Sequence, residues 1–160
     1  MIRNSSLPAL WVAALLCACA VSAHGADASA PSGAGIFAGR CAVCHGPEAA
    51  GIPGSFPSLH DQIVAFGKTP EGRDYLVMVV TTGLMGNLKV GGVSYLGVMP
   101  AQSGLSEAEV AAVLSFLASD RGKMTGDAAI TAADVSAIRA SHPQKSPQIT
   151  RSLRPAYPES

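Results

Sequence analysis

Cys41-Ala42-Val43-Cys44-His45 decides how the rest of this sequence is read. Cys-x-x-Cys-His is the attachment signal for c-type haem, and its spacing has a chemical reason. Two thiols add across the two vinyl groups on one edge of the porphyrin, and two intervening residues set the sulfurs that far apart. The next residue, His45, then falls under the ring, where its imidazole can bind iron. Other uses of these residues fit less well. A structural zinc site wants four ligands, usually with a second Cys or His pair, whereas His60 and His142 stand isolated. A thioredoxin-like redox pair needs a βαβ context, and the flanks here are Gly-rich without strand alternation. A plain Cys41–Cys44 disulfide leaves His45 without a role.

The chain around the motif has 160 residues, room for one domain. Hydrophobic residues make up 48% and charged residues 14%, which excludes a wholly disordered chain. Eleven basic side chains balance eleven acidic ones, so no basic field invites nucleic acid. The four cysteines, at 17, 19, 41 and 44, exclude a dense disulfide framework. Residues 1–23 carry Arg3, then an uncharged apolar run from Leu7 to Ala20, then Val21-Ser22-Ala23. That run is too short to span a bilayer at ~20 residues, and the small residues after it suit a signal peptidase. The expected processing is cleavage after Ala23; lipoprotein processing at Cys19 is the alternative. Removing 23 residues from 160 leaves 137, starting at His24, with Cys41 and Cys44 as the remaining cysteines. Export to an oxidising compartment suits covalent haem attachment.

Local signals predict a helical domain. Residues 33–42 read as a short helix feeding the motif, despite three glycines. Thr69-Pro70 opens a second helix, with Thr69 as N-cap and Pro70 at the first position. It runs through Tyr75, Leu76, Val79 and Val80 to Gly83, although its β-branched residues also allow a strand. Leu88–Val90 and Val93–Tyr95 flank Gly91-Gly92, a two-residue hairpin signal. Ser106-Glu107-Ala108-Glu109 is a capping box, with Leu105 and Val110 as its hydrophobic staple. Thr131–Asp134, between Ile130 and Val135, repeats that pattern for a short last helix. Residues 141–160 hold four prolines without periodicity and read as a mobile tail. Aromatics are only 5%, so a bound haem would supply apolar area that the core lacks.

The sixth iron position decides what such a haem does: a strong protein ligand favours electron transfer, an open position favours binding small molecules. Met78 falls inside the apolar run of the second helix and reads as core, while Met124 reads as a surface-loop residue. Met85 and Met99 both lie in the Gly-rich region. Met99-Pro100 directly precedes the capped helix, and proline pushes Met99 toward an extended backbone, so Met99 is favoured over Met85. His60 reads as a solvated loop histidine.

Cys41-Ala-Val-Cys-His45-Gly46, with Met99-Pro100 downstream and a helix beginning Leu105-Ser106-Glu107, resembles class I bacterial c-type cytochromes. The stretch from Gly83 to Pro100 is similar to periplasmic monohaem cytochromes and to cytochrome subunits of dehydrogenases. The resemblance covers about residues 33–140. It implies a mainly α fold, a small cytochrome c-like helical domain around one covalently attached haem c, with a short hairpin or loop before Met99. It implies His45 as proximal ligand and Met99 as distal ligand. Pro57 matches the family's Pro-x-Leu, whose carbonyl accepts the Nδ1 proton of the proximal histidine and fixes its tautomer, and Leu59 would pack on the haem. Gly33 and Phe37 match a helix that crosses the C-terminal helix near Val113 and Phe116. The chain after cleavage has no Trp for a haem propionate; Tyr95 and Arg73 are the candidate replacements.

The expected organisation is a signal peptide at 1–23, a linker at 24–32, a cytochrome c domain at 33–140 and a Pro-rich flexible tail at 141–160. The expected function is periplasmic transfer of single electrons through a His/Met-ligated haem, with the protein acting as a carrier rather than an enzyme. Its partners would be redox proteins, a dehydrogenase as donor and a cytochrome or oxidase as acceptor, with no nucleic acid and no transmembrane helix after cleavage. The alternatives are a haem enzyme or gas or peroxide sensor with a displaceable Met99, and a docking subunit whose haem only anchors the fold.

Overall fold

The computed structural model describes residues 31–119 and 130–157. The expected signal segment with Cys17 and Cys19, and Met124, lie outside the described residues.

Ser32 caps the first helix, its hydroxyl accepting from the Gly35 amide at 3.2 Å. Helix α1 (Gly33–Ile36) passes into a π-helical turn (Phe37–Cys41) and then α2 (Ala42–His45), so the helical path runs through the cysteine motif and does not merely lead to it. Within the turn the Ala42 amide donates to the Phe37 carbonyl, which widens the helix by one residue just before the motif. Helix α5 (Glu107–Ala118) crosses this segment with its Ser106/Glu109 capping box formed. The crossing is close because Gly33 lacks a side chain: a Cβ there would lie 2.2 Å from the Ala112 carbonyl oxygen. Phe37 fills the adjoining space against Phe116, with ring centroids 5.8 Å apart. Gly33→Ala should therefore push the helices apart and cost about 3 kcal/mol, the upper end for overpacking, read as a lowered urea midpoint.

Helix α3 (Asp61–Gly67) precedes α4 (Pro70–Thr82), where the Thr69 hydroxyl accepts from the Gly72 amide and Pro70 opens the first turn. The β-branched run of α4 is helical because its residues face a helical core: Tyr75, Leu76, Val77, Met78 and Val80 are all buried. Strands β1 (Leu84–Val90) and β2 (Val93–Met99) pair antiparallel, Leu84 opposite Met99 and Val90 opposite Val93. Gly91 and Gly92 turn the chain with φ of 56° and 76°, both in the left-handed region that a two-residue hairpin turn demands. The hairpin is longer than the sequence predicts. Gly86 sits directly opposite Gly97, and these two residues give the paired ends the look of a loop.

Helix α6 (Ala132–Ser141) has its Thr131/Asp134 capping box, with Ile130 and Val135 buried. Hydrogen bonds from the cap residues hold the Glu109 and Asp134 carboxyls below the ordinary carboxylate range. Such a group stabilises the fold at neutral pH and loses that contribution as pH falls through its depressed pKa.

The tail departs from expectation. Residues 147–152 form helix α7 (Pro147–Ser152), packed on α4 and β1, with Thr150 wholly buried. The Ser146 hydroxyl caps it and Pro147 occupies its first position, the same device as Thr69-Pro70. Leu153 and Tyr157 continue onto the main core. Pro147, placed at a helix start, opens a helix in a segment whose proline content reads as a tail without structure.

Candidate haem cleft

On the helical path the spacing of Cys41, Cys44 and His45 is i, i+3 and i+4, so the two thiols and the imidazole share one face. Val43 falls on the opposite side and is 83% exposed. The two thiols are free, and burial pushes the Cys41 thiol pKa up. His45 is buried, and its Nδ1 donates to the Pro57 carbonyl at 2.9 Å. That bond places the proton on Nδ1 and leaves the Nε2 lone pair available. Burial also pushes the His45 pKa down, although the Pro57 bond opposes it, so the neutral ligand form is favoured.

The loop after the motif is folded to deliver that carbonyl. The Gly51 amide donates to the His45 carbonyl at 2.8 Å, and Leu59 donates to Ala49 at 2.9 Å. Gly51 has φ 72°, and a Cβ there would come within 2.7 Å of the Pro57 oxygen. Gly51 thus permits the approach that Pro57 needs. Sequence reasoning missed it; a glycine between His45 and the Pro-x-Leu was the available signal.

A cleft opens between the helices and the hairpin. Its inner part is lined almost wholly by apolar groups, among them Leu59, Ile63, Leu76, Val79, Val113 and Leu117, together with Cys41. Its outer part, about 210 Å³, is lined by Cys44, Pro57, Leu84, Leu88, Tyr95 and Pro100, among others. His45 and Met99 line both parts. Leu84, Leu88 and Gly97 are not among the residues expected from the sequence, and Tyr95 is expected only as a group near a haem propionate. They sit on the segment whose alternation the glycines obscured.

That alternation separates the two candidate methionines. Successive strand residues point to opposite faces. Leu84, Gly86 and Leu88 of β1, with Tyr95, Gly97 and Met99 of β2, line the cleft; Val98, opposite Met85, is the one out-of-phase strand residue that also borders it, and it is 60% exposed. Met85 lies one residue out of phase and accepts a hydrogen bond at its sulfur from Gln148 of α7, at 3.1 Å. Met78 is wholly buried on α4. His60 points away from the cleft, its Nε2 donating to the Glu48 carbonyl at 2.6 Å. Arg73 is engaged at the α3–α4 joint, donating from Nε to the Gly67 carbonyl at 2.8 Å.

The donor set fits a haem bound through its vinyl edge. Two thiols and a neutral imidazole stand on one helical face, a thioether lies across an apolar slot, and the walls can exclude water. Among the described residues, no helix is long and apolar enough to cross a membrane.

A family model described as cytochrome c oxidase, cbb3-type, subunit III matches residues 28–117. A curated relative, cytochrome c-552 of Thermus thermophilus, is 40% identical over 111 residues, covering 68% of this chain and 84% of the relative. A second cytochrome c-552, from a further strain of Thermus thermophilus, is 40% identical over 111 residues, covering 68% of this chain and 74% of the relative.

Proposed function

The chain belongs to the family that this model describes, as a class I monohaem c-type cytochrome, and we propose that it carries single electrons in the periplasm through a haem ligated by His45 and Met99. Membership establishes the coarser facts: haem c is bound covalently, with Cys41 and Cys44 at the attachment spacing, and the protein is an electron carrier with redox proteins as partners. The bound haem supplies an iron that alternates between the ferric and ferrous states.

The chain's own residues do the rest. Cys41 and Cys44 fix one edge of the ring to a helix face. Pro57 holds the His45 ring in one tautomer and one plane, which raises the basicity of its free nitrogen. The apolar wall excludes water, so little solvent has to reorganise when charge changes. Met99, at the end of β2 and directly before Pro100, offers a thioether from a restrained backbone. A soft thioether favours the ferrous state and raises the potential.

The observation that carries this reading is that His45 and Met99 line the same two-part cleft while every other described methionine lies outside it. Because α7 packs on α4 and β1, we extend the cytochrome domain proposed for residues 33–140 to residue 157, and the sequence of residues 1–23 supports reading them as an export signal. A dehydrogenase as donor fits the resemblance of residues 83–100, and the matched family's name supports an oxidase as acceptor.

The test is spectroscopy and mass measurement on holoprotein from periplasm. The ferric form should show a far-red thioether–iron absorption, the ferrous form should bind carbon monoxide slowly, and the mass should equal residues 24–160 plus one haem. Fast carbon monoxide binding by the wild type would make the sixth position open and the sensor or enzyme reading correct. A lipid adduct on Cys19 would make the protein membrane-anchored.

A further inference from the structure

We infer that Arg154 is a positioning residue for the distal ligand: it holds the β1–β2 hairpin against the helical body and so keeps the Met99 thioether in the cleft. The inference rests on the reading of Met99 as ligand.

Gln148, Arg151 and Arg154 recur every third residue along α7 and the chain just beyond it, and together they meet β1. Gln148 donates to the Met85 sulfur at 3.1 Å. The Arg151 side chain lies 3.2 Å from where a Cβ on Gly86 would stand. Arg154 donates from Nη2 to the Lys89 carbonyl at 3.0 Å. The same Nη2 also donates to Gln62 Oε1 at 2.5 Å, and the guanidinium covers the Phe66 ring at 5.7 Å from its centroid and hydrogen-bonds Tyr75. Gln62 and Phe66 belong to α3 and Tyr75 to α4, and all three are buried. Tyr157 closes over Phe66 at 5.9 Å.

One guanidinium thus joins the hairpin backbone to the two helices that also supply Ile63, Leu76 and Val79 to the cleft wall, Nη2 bonding both Lys89 and Gln62 while the plane covers Phe66. The hairpin needs such a joint. Two strands alone are marginally stable in water, so its position depends on what it packs against. On β2, Leu96 is 82% exposed, so the outward face of that strand has little to hold it at mid-strand. Restraint reaches Met99 through β1, by the register that pairs Lys89 with Ser94 and Leu84 with Met99. The family match ends at residue 117, so this strap lies beyond the part of the chain that the family describes.

Removing Arg154 should raise the fraction of molecules in which the hairpin lifts and Met99 leaves the iron. An added ligand reports that fraction directly, because its apparent affinity scales with the competent population. The experiment compares holoprotein of the wild type, Arg154→Ala, Arg154→Lys and Val135→Ala. Val135 is buried on α6, which packs on α4 and α5, so its truncation lowers stability away from the hairpin.

Arg154→Ala should bind carbon monoxide in the ferrous state, and imidazole in the ferric state, about tenfold more readily, the scale of one lost charge-assisted hydrogen bond. Its far-red absorption should disappear at lower imidazole concentration. Val135→Ala should lower the urea midpoint with wild-type ligand binding. Arg154→Lys keeps the charge but not the planar guanidinium over Phe66 and should show a smaller rise in the same direction; it carries the test if Arg154→Ala does not accumulate as holoprotein. Ligand binding in the Arg154 variants no different from that of Val135→Ala, with the far-red absorption present in the wild type, overturns the inference alone. Absence of that absorption in the wild type overturns the Met99 reading and this inference with it.

Discussion

A chain carrying Cys41→Ala and Cys44→Ala should retain no haem through acid-acetone extraction and should be cut by protease under conditions that the wild type survives. The two thiols are the chain's covalent hold on the ring, since the bonds proposed for His45 and Met99 are ligand bonds that acid breaks. The consequence for folding is larger than loss of colour. The inner cleft is walled by Leu59, Ile63, Leu76, Val79, Val113 and Leu117, drawn from the motif loop and from α3, α4 and α5. With nothing between them, these side chains face water or collapse and drag their helices along. A ring burying several hundred Å² of apolar surface, at about 25 cal/mol per Å², supplies on the order of 10 kcal/mol, comparable to the whole stability of a small domain. Met78, Val77 and Val110 are buried among protein side chains and do not line the cleft, so they leave some helical structure around the α4–α5 core. The variant should therefore keep part of its far-ultraviolet circular dichroism while losing cooperative unfolding. Haem retained through the extraction would show that attachment does not run through these thiols.

What could be read without coordinates divides along physical lines. Signals confined to a few adjacent residues were legible. Ser106 with Glu109, Thr131 with Asp134, and Thr69 with Pro70 each formed the helix start that their chemistry prescribes. So was the motif, because the spacing of two thiols and an imidazole is set by the ring they serve. Helix α3 was not, since His60 gives it no side-chain cap and its seven residues are too few to show a period. The Ser146-Pro147 start was present but was outweighed by the prolines around it, a failure of composition as a guide to order. The π-helical turn joins α1, which packs on α5, to the motif helix, and no local residue announces it. Pro57 and Leu59 came from resemblance alone. The geometry of Gly51, which lets the Pro57 carbonyl reach His45, shows why that spacing works. Met85 and Met99 could be ranked from sequence but not separated, because separation depends on strand phase and the glycines hid the strands.

Strand phase makes the last expectation sharp. Met99→Ala should abolish the far-red absorption, lower the potential, and let the ferrous protein bind carbon monoxide rapidly, whereas Met85→Ala should do none of these. Both substitutions delete one thioether from the same hairpin, near its open end, where Leu84 pairs with Met99 and Met85 with Val98. Their packing losses are of one kind, about 2–5 kcal/mol for a buried methionine and less for partly covered ones such as these. A difference between them therefore reports which face of the hairpin holds the iron ligand. Met99 lines the cleft with His45, while Met85 meets Gln148 on the far side. Without the Met99 sulfur, the sixth position passes to water or added imidazole, harder donors that favour the ferric state. The potential should then fall by a sizeable part of the ~0.8 V span that axial ligands command. Loss of the absorption in Met85→Ala with retention in Met99→Ala would mean that the hairpin turns its other face to the haem, since shifting the strand by one residue exchanges every inward side chain for an outward one. Retention in both variants would move the distal ligand off the hairpin altogether.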